Sequence, residues 1–231
     1  MTSIPAEIIN KRSVIAKRFL KGEGIEIGAL HHPLKLPTNA SVKYVDRLSN
    51  SELRIHYPEL SNCDIVEVDI IDDGEKLSTI QSDSLDFIVA NHMLEHCENP
   101  IGTIRHHLKH IKRNGIIYYA VPDKIHSFDN KRKLTPFEHL IHDDQNGDGI
   151  ESREKHYEEW VKYVCDIEDA GEAFETKKKL MFMNYSIHFH VWNYNGFQEF
   201  IESTNKYLDE PFDVLLFEGN DTEIIAVLKK K

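Results

Sequence analysis

The sequence has little of what would tie it to a membrane, a disulfide framework or a nonspecific grip on nucleic acid. Its three cysteines, Cys63, Cys97 and Cys165, are odd in number, far apart and in no CxxC arrangement. That argues against a disulfide scaffold and a cysteine zinc site and leaves reduced thiols as the default. No apolar run approaches the roughly 20 residues needed to cross a bilayer, and the N-terminus lacks the basic start, apolar middle and small-residue cleavage site of a secretory leader. No membrane insertion is expected, and the expected location is the cytoplasm. Basic residues are outnumbered, 28 against 39 acidic ones, for a net charge of −11; no nucleic-acid partner is expected from such a balance. Eleven glycines and eight prolines rule out a collagen-like or low-complexity chain. There is no repeat, no heptad run, no Walker A lysine motif, no complete GxGxxG and no HExxH.

What is present is an ordinary globular composition, 40% apolar and 29% charged over 231 residues. That length suits one sizeable core with an insertion better than two independent domains. Ala6 to Leu20 has a helical pattern, which Ser3 and Pro5 start and Gly22 stops, and it reads as a brace or lid within residues 1–21. Short apolar runs follow as strands: Gly24 to Gly28, Val42 to Val45, Asp64 to Val68, Leu85 to Ala90 and Ile116 to Val121. The segments between the later runs suit helices, Pro100 to Ile111 most clearly, and the alternation implies an α/β fold with a mostly parallel sheet. Asn195 to Leu208 reads as a helix. Phe212 to Phe217 and Thr222 to Leu228 flank Glu218-Gly219-Asn220-Asp221 as a hairpin, adding an antiparallel edge. Residues 123–185 are more polar and less periodic, with Ser152 to Ile167 helical, and are expected to cap the ends of the parallel strands, where such sheets bind ligands.

The sharpest local feature is Gly24-Ile25-Glu26-Ile27-Gly28-Ala29, a strand running into a glycine-permitted turn. A carboxylate there repels phosphate but accepts hydrogen bonds or attracts a cation, which points away from a dinucleotide. Val42-Lys43-Tyr44-Val45-Asp46 ends in an acid near the separation at which nucleoside-binding folds take ribose hydroxyls. Ile65-Val66-Glu67-Val68-Asp69 ends in another, placed for an adenine amino group.

Taken together, these segments resemble the class I S-adenosylmethionine-dependent methyltransferases, of the small-molecule kind known as methyltransferase type 11. The resemblance runs through Ser84 to His96 and Leu108 to Val121, and more loosely through the last helix and strands. It implies a Rossmann-like fold, a seven-stranded, mostly parallel sheet with an antiparallel C-terminal strand, and S-adenosylmethionine as cofactor. By position it assigns Glu26, Gly28, Ala29, Asp46, Arg47, Asp69, Ile70, Asn91 and His92 to cofactor binding. The first loop departs from the pattern: Leu30-His31-His32-Pro33 stands where further glycines are usual. This version, with Tyr44-Val45-Asp46-Arg47, resembles a subgroup associated with polysaccharide synthesis, which implies O-methylation of a sugar, nucleotide sugar or glycan. Methyltransfer to another small metabolite, and a non-catalytic cofactor-binding scaffold, are the competing readings.

Methyl transfer from a sulfonium to an alcohol needs alignment and a base for the hydroxyl proton. Histidine is abundant, 14 in the chain, and suited to that task. His156 or His188 is expected as the base, with Asp123, directly after the fifth strand, orienting an imidazole or a sugar hydroxyl. His106, His107 and His110 read as a solvated helix face, and Asp144 to Gly149 as a polar turn that only begins like a calcium loop, since Lys155 stands where the closing glutamate belongs. No metal ligands are assigned, and the resemblance leaves open a divalent cation that orients a hydroxyl pair. A homodimer is compatible with a compact enzyme of this size.

Overall fold

The structure, a computed structural model, describes residues 5–60 and 62–231. Seven strands form one sheet in the order β3-β2-β1-β4-β5-β7-β6. They are β1 (Gly22–Ile27), β2 (Ala40–Asp46), β3 (Ile70–Ile71), β4 (Leu85–Asn91), β5 (Ile111–Pro122), β6 (Phe212–Asn220) and β7 (Glu223–Lys230). The first five run parallel and β7 lies antiparallel between β5 and β6. This is the Rossmann-like methyltransferase architecture expected from the sequence. Central strands carry near-continuous apolar runs because helices cover both faces of the sheet: Phe87 to Ala90 and Ile117 to Val121 are all buried.

On one face α1 (Ala6–Phe19) packs Ile15 and Ala16 against Phe87, Val89, Tyr118 and Ile225. Pro5 occupies its N-cap position; Ser3, the other expected start signal, lies outside the described residues. The opposite face holds α3 (Pro100–His110) and α7 (Tyr194–Tyr207) over Ile88, Tyr119 and Ala226. Asn99 and Asn193 cap these two helices by accepting the N–H of Gly102 and Gly196, each at 2.8 Å. α2 (Asn50–His56) starts in a Ser49/Glu52 capping box. Between β5 and α7 stand α4 (Phe137–Gln145), α5 (Arg153–Tyr163) and α6 (Ala170–Phe182), followed by an extended run into Asn193. Tyr157 and Trp160 of α5 pack there against Ile187 and Phe189.

Two expectations change. The stretch 64–68 is not a strand: Val66 N–H donates to Leu30 O at 2.9 Å and Val68 N–H to Asn50 Oδ1 at 2.8 Å, so loops satisfy its backbone. The ladder to β2 forms later, at Ile70–Ile71 against Val45–Asp46. Neither His107 nor His110 is solvated: His110 is 3% exposed, and His107 is fully buried between Tyr119 Oη at 2.7 Å and Gly74 O at 2.8 Å. Of these two, His107 is the one with two close partners. Burial pushes its pKa down to about 4. The turn after α4 docks on α3, with Arg105 donating to both oxygens of Asp144 at 2.9 and 2.6 Å and Asn99 Nδ2 to Asp148 at 2.9 Å.

Candidate active site

The strand order reverses between β1 and β4, and the C-terminal ends of β1, β2, β4 and β5 open on one side of the sheet. A crevice at such a reversal is where open α/β sheets bind ligands. Gly28 stands at its floor with φ +65°. A Cβ added there would meet no described atom within 4 Å, so bare backbone faces open space.

Glu26, at 1% exposure, braces this loop from below. Leu34 N–H donates to both its oxygens at 3.0 Å, and Asn91 Nδ2 to Oε1 at 3.2 Å. Burial raises its pKa to about 7 against those hydrogen bonds. Spending its Nδ2 on Glu26 leaves Asn91, at the end of β4, with a buried Oδ1 that has no hydrogen-bond partner among the described residues. At the tip of β2, Asp46 accepts Leu48 N–H at 3.2 Å through Oδ1, and burial holds its carboxyl above the ordinary range. Arg47 lies beside it, 3.2 Å from His56 Nε2, and Ala29 follows Gly28 in the half-buried loop.

The third acid is displaced by the shift of β3. Asp69 lies level with Tyr44 of β2, whose N–H its Oδ2 accepts at 2.8 Å; Ile70 is in the strand and packs on the core. Asp72 is turned to Thr79, whose N–H and Oγ1–H donate to it at 2.7 and 2.6 Å. Asp73 is the acid beyond the strand that lines a cleft. That cleft, about 290 Å³, also touches Glu75, Glu98 and Arg153, residues it shares with a second cleft of about 220 Å³ reaching Arg47, His96 and Tyr157. Burial and the neighbouring Asp73 charge raise Glu75 to about 7.

His92 follows β4 with φ +52°. Its Nε2 lies 2.9 Å from Glu223 Oε2 and its Nδ1 3.6 Å from Glu95 Oε1. Arg12 of α1 forks onto the same Glu223, donating from Nε at 2.8 Å and from its terminal nitrogen. Burial opposes ionisation of Glu223, but Arg12 and His92 outweigh it and hold the carboxyl at about 2. Glu95 is the opposite case. It is 1% exposed, neither oxygen has a hydrogen-bond partner among the described residues, and burial raises its pKa. Its Oε1 stands between His92 and His188, 4.0 Å from His188 Nε2.

The acceptor-side expectations divide. Asp123 caps a turn, accepting Ile125 N–H at 3.0 Å, and among the described residues the carboxylate that meets the His188 imidazole is another. That role belongs to Asp129, which sequence spacing did not single out: its Oδ2 is 2.6 Å from His188 Nδ1, and Oδ1 accepts from Arg132 at 2.9 Å. Burial works against the Asp129 charge, but His188 and Arg132 together hold the carboxyl below its ordinary range. His156 is not joined to His188. It faces His139, 3.0 Å between their Nε2 atoms, and His190, and burial with the nearby His139 and Arg132 lowers it to about 3. His188 and His190 are both buried and turn to different partners, Asp129 and Glu98 O.

A family model described as a methyltransferase domain matches residues 7–169. No curated protein matches the chain. Among solved structures, a protein of Rhodobacter sphaeroides described as a putative zinc-dependent alcohol dehydrogenase superposes with a TM-score of 0.57 at 10% identity, covering 98% of this chain and 90% of that one. A SAM-dependent methyltransferase of Thermotoga maritima, described as a possible histamine N-methyltransferase, gives 0.50 at 11% identity over 97% and 92%. A SAM-dependent methyltransferase of Aquifex aeolicus gives 0.50 at 9% identity over the whole of both chains. At these identities the likeness is one of fold.

Proposed function

The chain belongs to the S-adenosylmethionine-dependent methyltransferases, and from that premise we propose that it methylates a hydroxyl of a sugar, nucleotide sugar or glycan, with His188 as the base. The crevice fits the cofactor on its own terms: open backbone at Gly28, an unpartnered buried acceptor at Asn91 and a carboxylate at Asp46. Asp46 is suited to ribose hydroxyls and Asp73, in place of Asp69, to the adenine amino group. Glu26 supports the loop from beneath. When bound, S-adenosylmethionine supplies an electrophilic methyl group on a sulfonium.

The observation that carries the acceptor reading is the Asp129–His188 pair, 2.6 Å apart. A carboxylate on Nδ1 fixes the tautomer that leaves Nε2 with a lone pair, and Nε2 is the atom turned toward Glu95 and His92 at the end of β4. His188 takes the hydroxyl proton on Nε2, and Asp129, itself held by Arg132, stabilises the imidazolium that forms. A carboxylate acceptor, already ionised, would not require this pair. Phe128, 53% exposed with its ring 4.8 Å from the His188 ring, offers an apolar face for a sugar ring.

The test is transfer of labelled methyl from S-adenosylmethionine to a panel of nucleotide sugars, free sugars, amines and carboxylates, with wild type and His188→Gln. Transfer to a sugar hydroxyl that falls at least about 100-fold in the variant supports the reading. Transfer confined to amines or carboxylates, or unaffected by the substitution, overturns the acceptor and the base. Cofactor binding with no transfer to any acceptor would favour a scaffold.

A further inference from the structure

Away from the crevice floor, four side chains from three separate elements converge: His139 and Asp143 one helical turn apart on α4, His156 on α5, and His190 in the extended run before α7. We propose that they form a closed binding site for one divalent transition-metal ion of the zinc class, which ties the inserted helices to the segment that carries His188. This inference stands on the cluster alone and does not depend on the acceptor assigned above.

One ligand atom from each residue lies within 4.8 Å of all the others. His139 Nε2 is 3.0 Å from His156 Nε2 and 3.1 Å from Asp143 Oδ2. Four donors set tetrahedrally about zinc at its usual bond lengths stand about 3.3 Å from one another, so these edges need to open by only a few tenths of an ångström. A hydrogen-bond network accounts for the group poorly. His190 Nδ1 is buried with no hydrogen-bond partner among the described residues, and Asp143 Oδ2 has only the 3.1 Å contact to His139 Nε2, an atom it shares with His156, in residues each 1% exposed. Leaving such groups desolvated and short of partners is costly, and a shared cation satisfies both at once.

The surrounding contacts aim the ligand atoms inward. His190 Nε2 lies 3.3 Å from Glu98 O; donating its proton there leaves the Nδ1 lone pair for a metal. Ser152 Oγ–H donates to Asp143 Oδ1 and leaves Oδ2 turned to the cluster. Such outer contacts are what fix the tautomer and orientation of metal ligands. Three imidazoles and one carboxylate suit zinc or cobalt rather than magnesium or calcium, which prefer oxygen donors. Four protein ligands, three of them buried, fill the coordination shell, as a structural site requires and a catalytic one does not.

The test uses the full chain, purified, stripped with a chelator and titrated with zinc or with cobalt as a spectroscopic probe. The expected result is one ion per chain, tetrahedral cobalt absorption, and a rise in melting temperature on adding zinc. His139→Gln, at a half-exposed ligand where folding is least at risk, and His156→Gln should each weaken zinc binding at least 10-fold. Ser152→Ala should weaken it about 10-fold to 100-fold through Asp143. Circular dichroism verifies that each variant is folded. A folded wild type that takes up no stoichiometric zinc and gives no tetrahedral cobalt spectrum overturns the proposal. So does zinc binding that survives both ligand substitutions, because the ion is then held elsewhere.

Discussion

Asp129 and His188 form a buried carboxylate–imidazole pair, 2.6 Å between Oδ2 and Nδ1, although 59 residues separate them in the chain. Arg132 joins them twice, through Asp129 Oδ1 and through His188 O at 2.8 Å. If Asp129 orients the imidazole, Asp129→Asn should lower transfer to a hydroxyl about 100-fold or more while leaving S-adenosylhomocysteine affinity within about twofold. Single-turnover rates and calorimetry separate the two effects. Equal loss of both would mean that Asp129 only supports the fold.

The acid expected at the adenine end and the acid proposed in its place make a paired comparison. Asp69 spends Oδ2 on Tyr44 N–H, whereas Asp73 lines the cleft. Asp73→Asn should weaken S-adenosylhomocysteine binding about 10-fold, the worth of one good hydrogen bond to a charged acceptor. Asp69→Asn should leave it within about twofold. The reverse ranking in calorimetric titration would restore Asp69.

That pair also shows why part of the site was legible in the sequence and part was not. Glu26, Gly28, Asp46 and Asn91 sit at or just past the ends of β1, β2 and β4, strands of six or seven residues and so long enough to show a strand pattern, a continuous buried run in β4 and an alternating one in β2. β3 is a two-residue edge strand and carries too little pattern to place its acid. Asp129 and Glu95 gain their meaning only from a segment that returns from residues 186–193, and the His139, Asp143, His156 and His190 cluster draws on three elements. Apart from the one-turn spacing of His139 and Asp143, no local spacing announces it.

Arg12 and Glu223 join the first helix to the last strand through a buried fork. Arg12→Ala removes the guanidinium from a carboxylate with 1% exposure and leaves it, among the described residues, only His92 at 2.9 Å and the amide of Asn220 at 2.6 Å. The expected loss is about 3–5 kcal/mol of stability, more than a surface ion pair would cost. Urea unfolding checks this, and Arg12→Ala with Glu223→Gln should recover part of the loss because the orphaned charge is gone. A single-variant loss below about 1 kcal/mol would show that water reaches Glu223.

Gly28 separates the demands of folding from those of binding. Its φ of +65° makes any side chain cost about 1–2 kcal/mol, yet a Cβ there touches no described atom within 4 Å. Gly28→Val should therefore give a folded protein, slightly destabilised, that binds S-adenosylhomocysteine at least about 10-fold more weakly because the side chain fills the space over the crevice floor. Unchanged affinity would move the cofactor away from this loop.

Glu26 makes the stability of the chain depend on pH. Arg12, Tyr44 and Tyr118 face it from α1, β2 and β5, and burial dominates, raising its pKa from 4.5 to about 7. Between those values the folded chain keeps a proton that the unfolded chain has released. Its contribution therefore turns unfavourable as pH rises through that window and levels off above about 7, reaching on the order of 3 kcal/mol. Glu26→Gln keeps the shape and cannot ionise, so the stability difference between variant and wild type should grow in the variant's favour from pH 5 to pH 8. Subtracting the two urea curves cancels other titrating groups, Glu75 among them. A difference that stays flat with pH would mean that Leu34 N–H, Asn91 and Arg12 hold Glu26 ionised throughout.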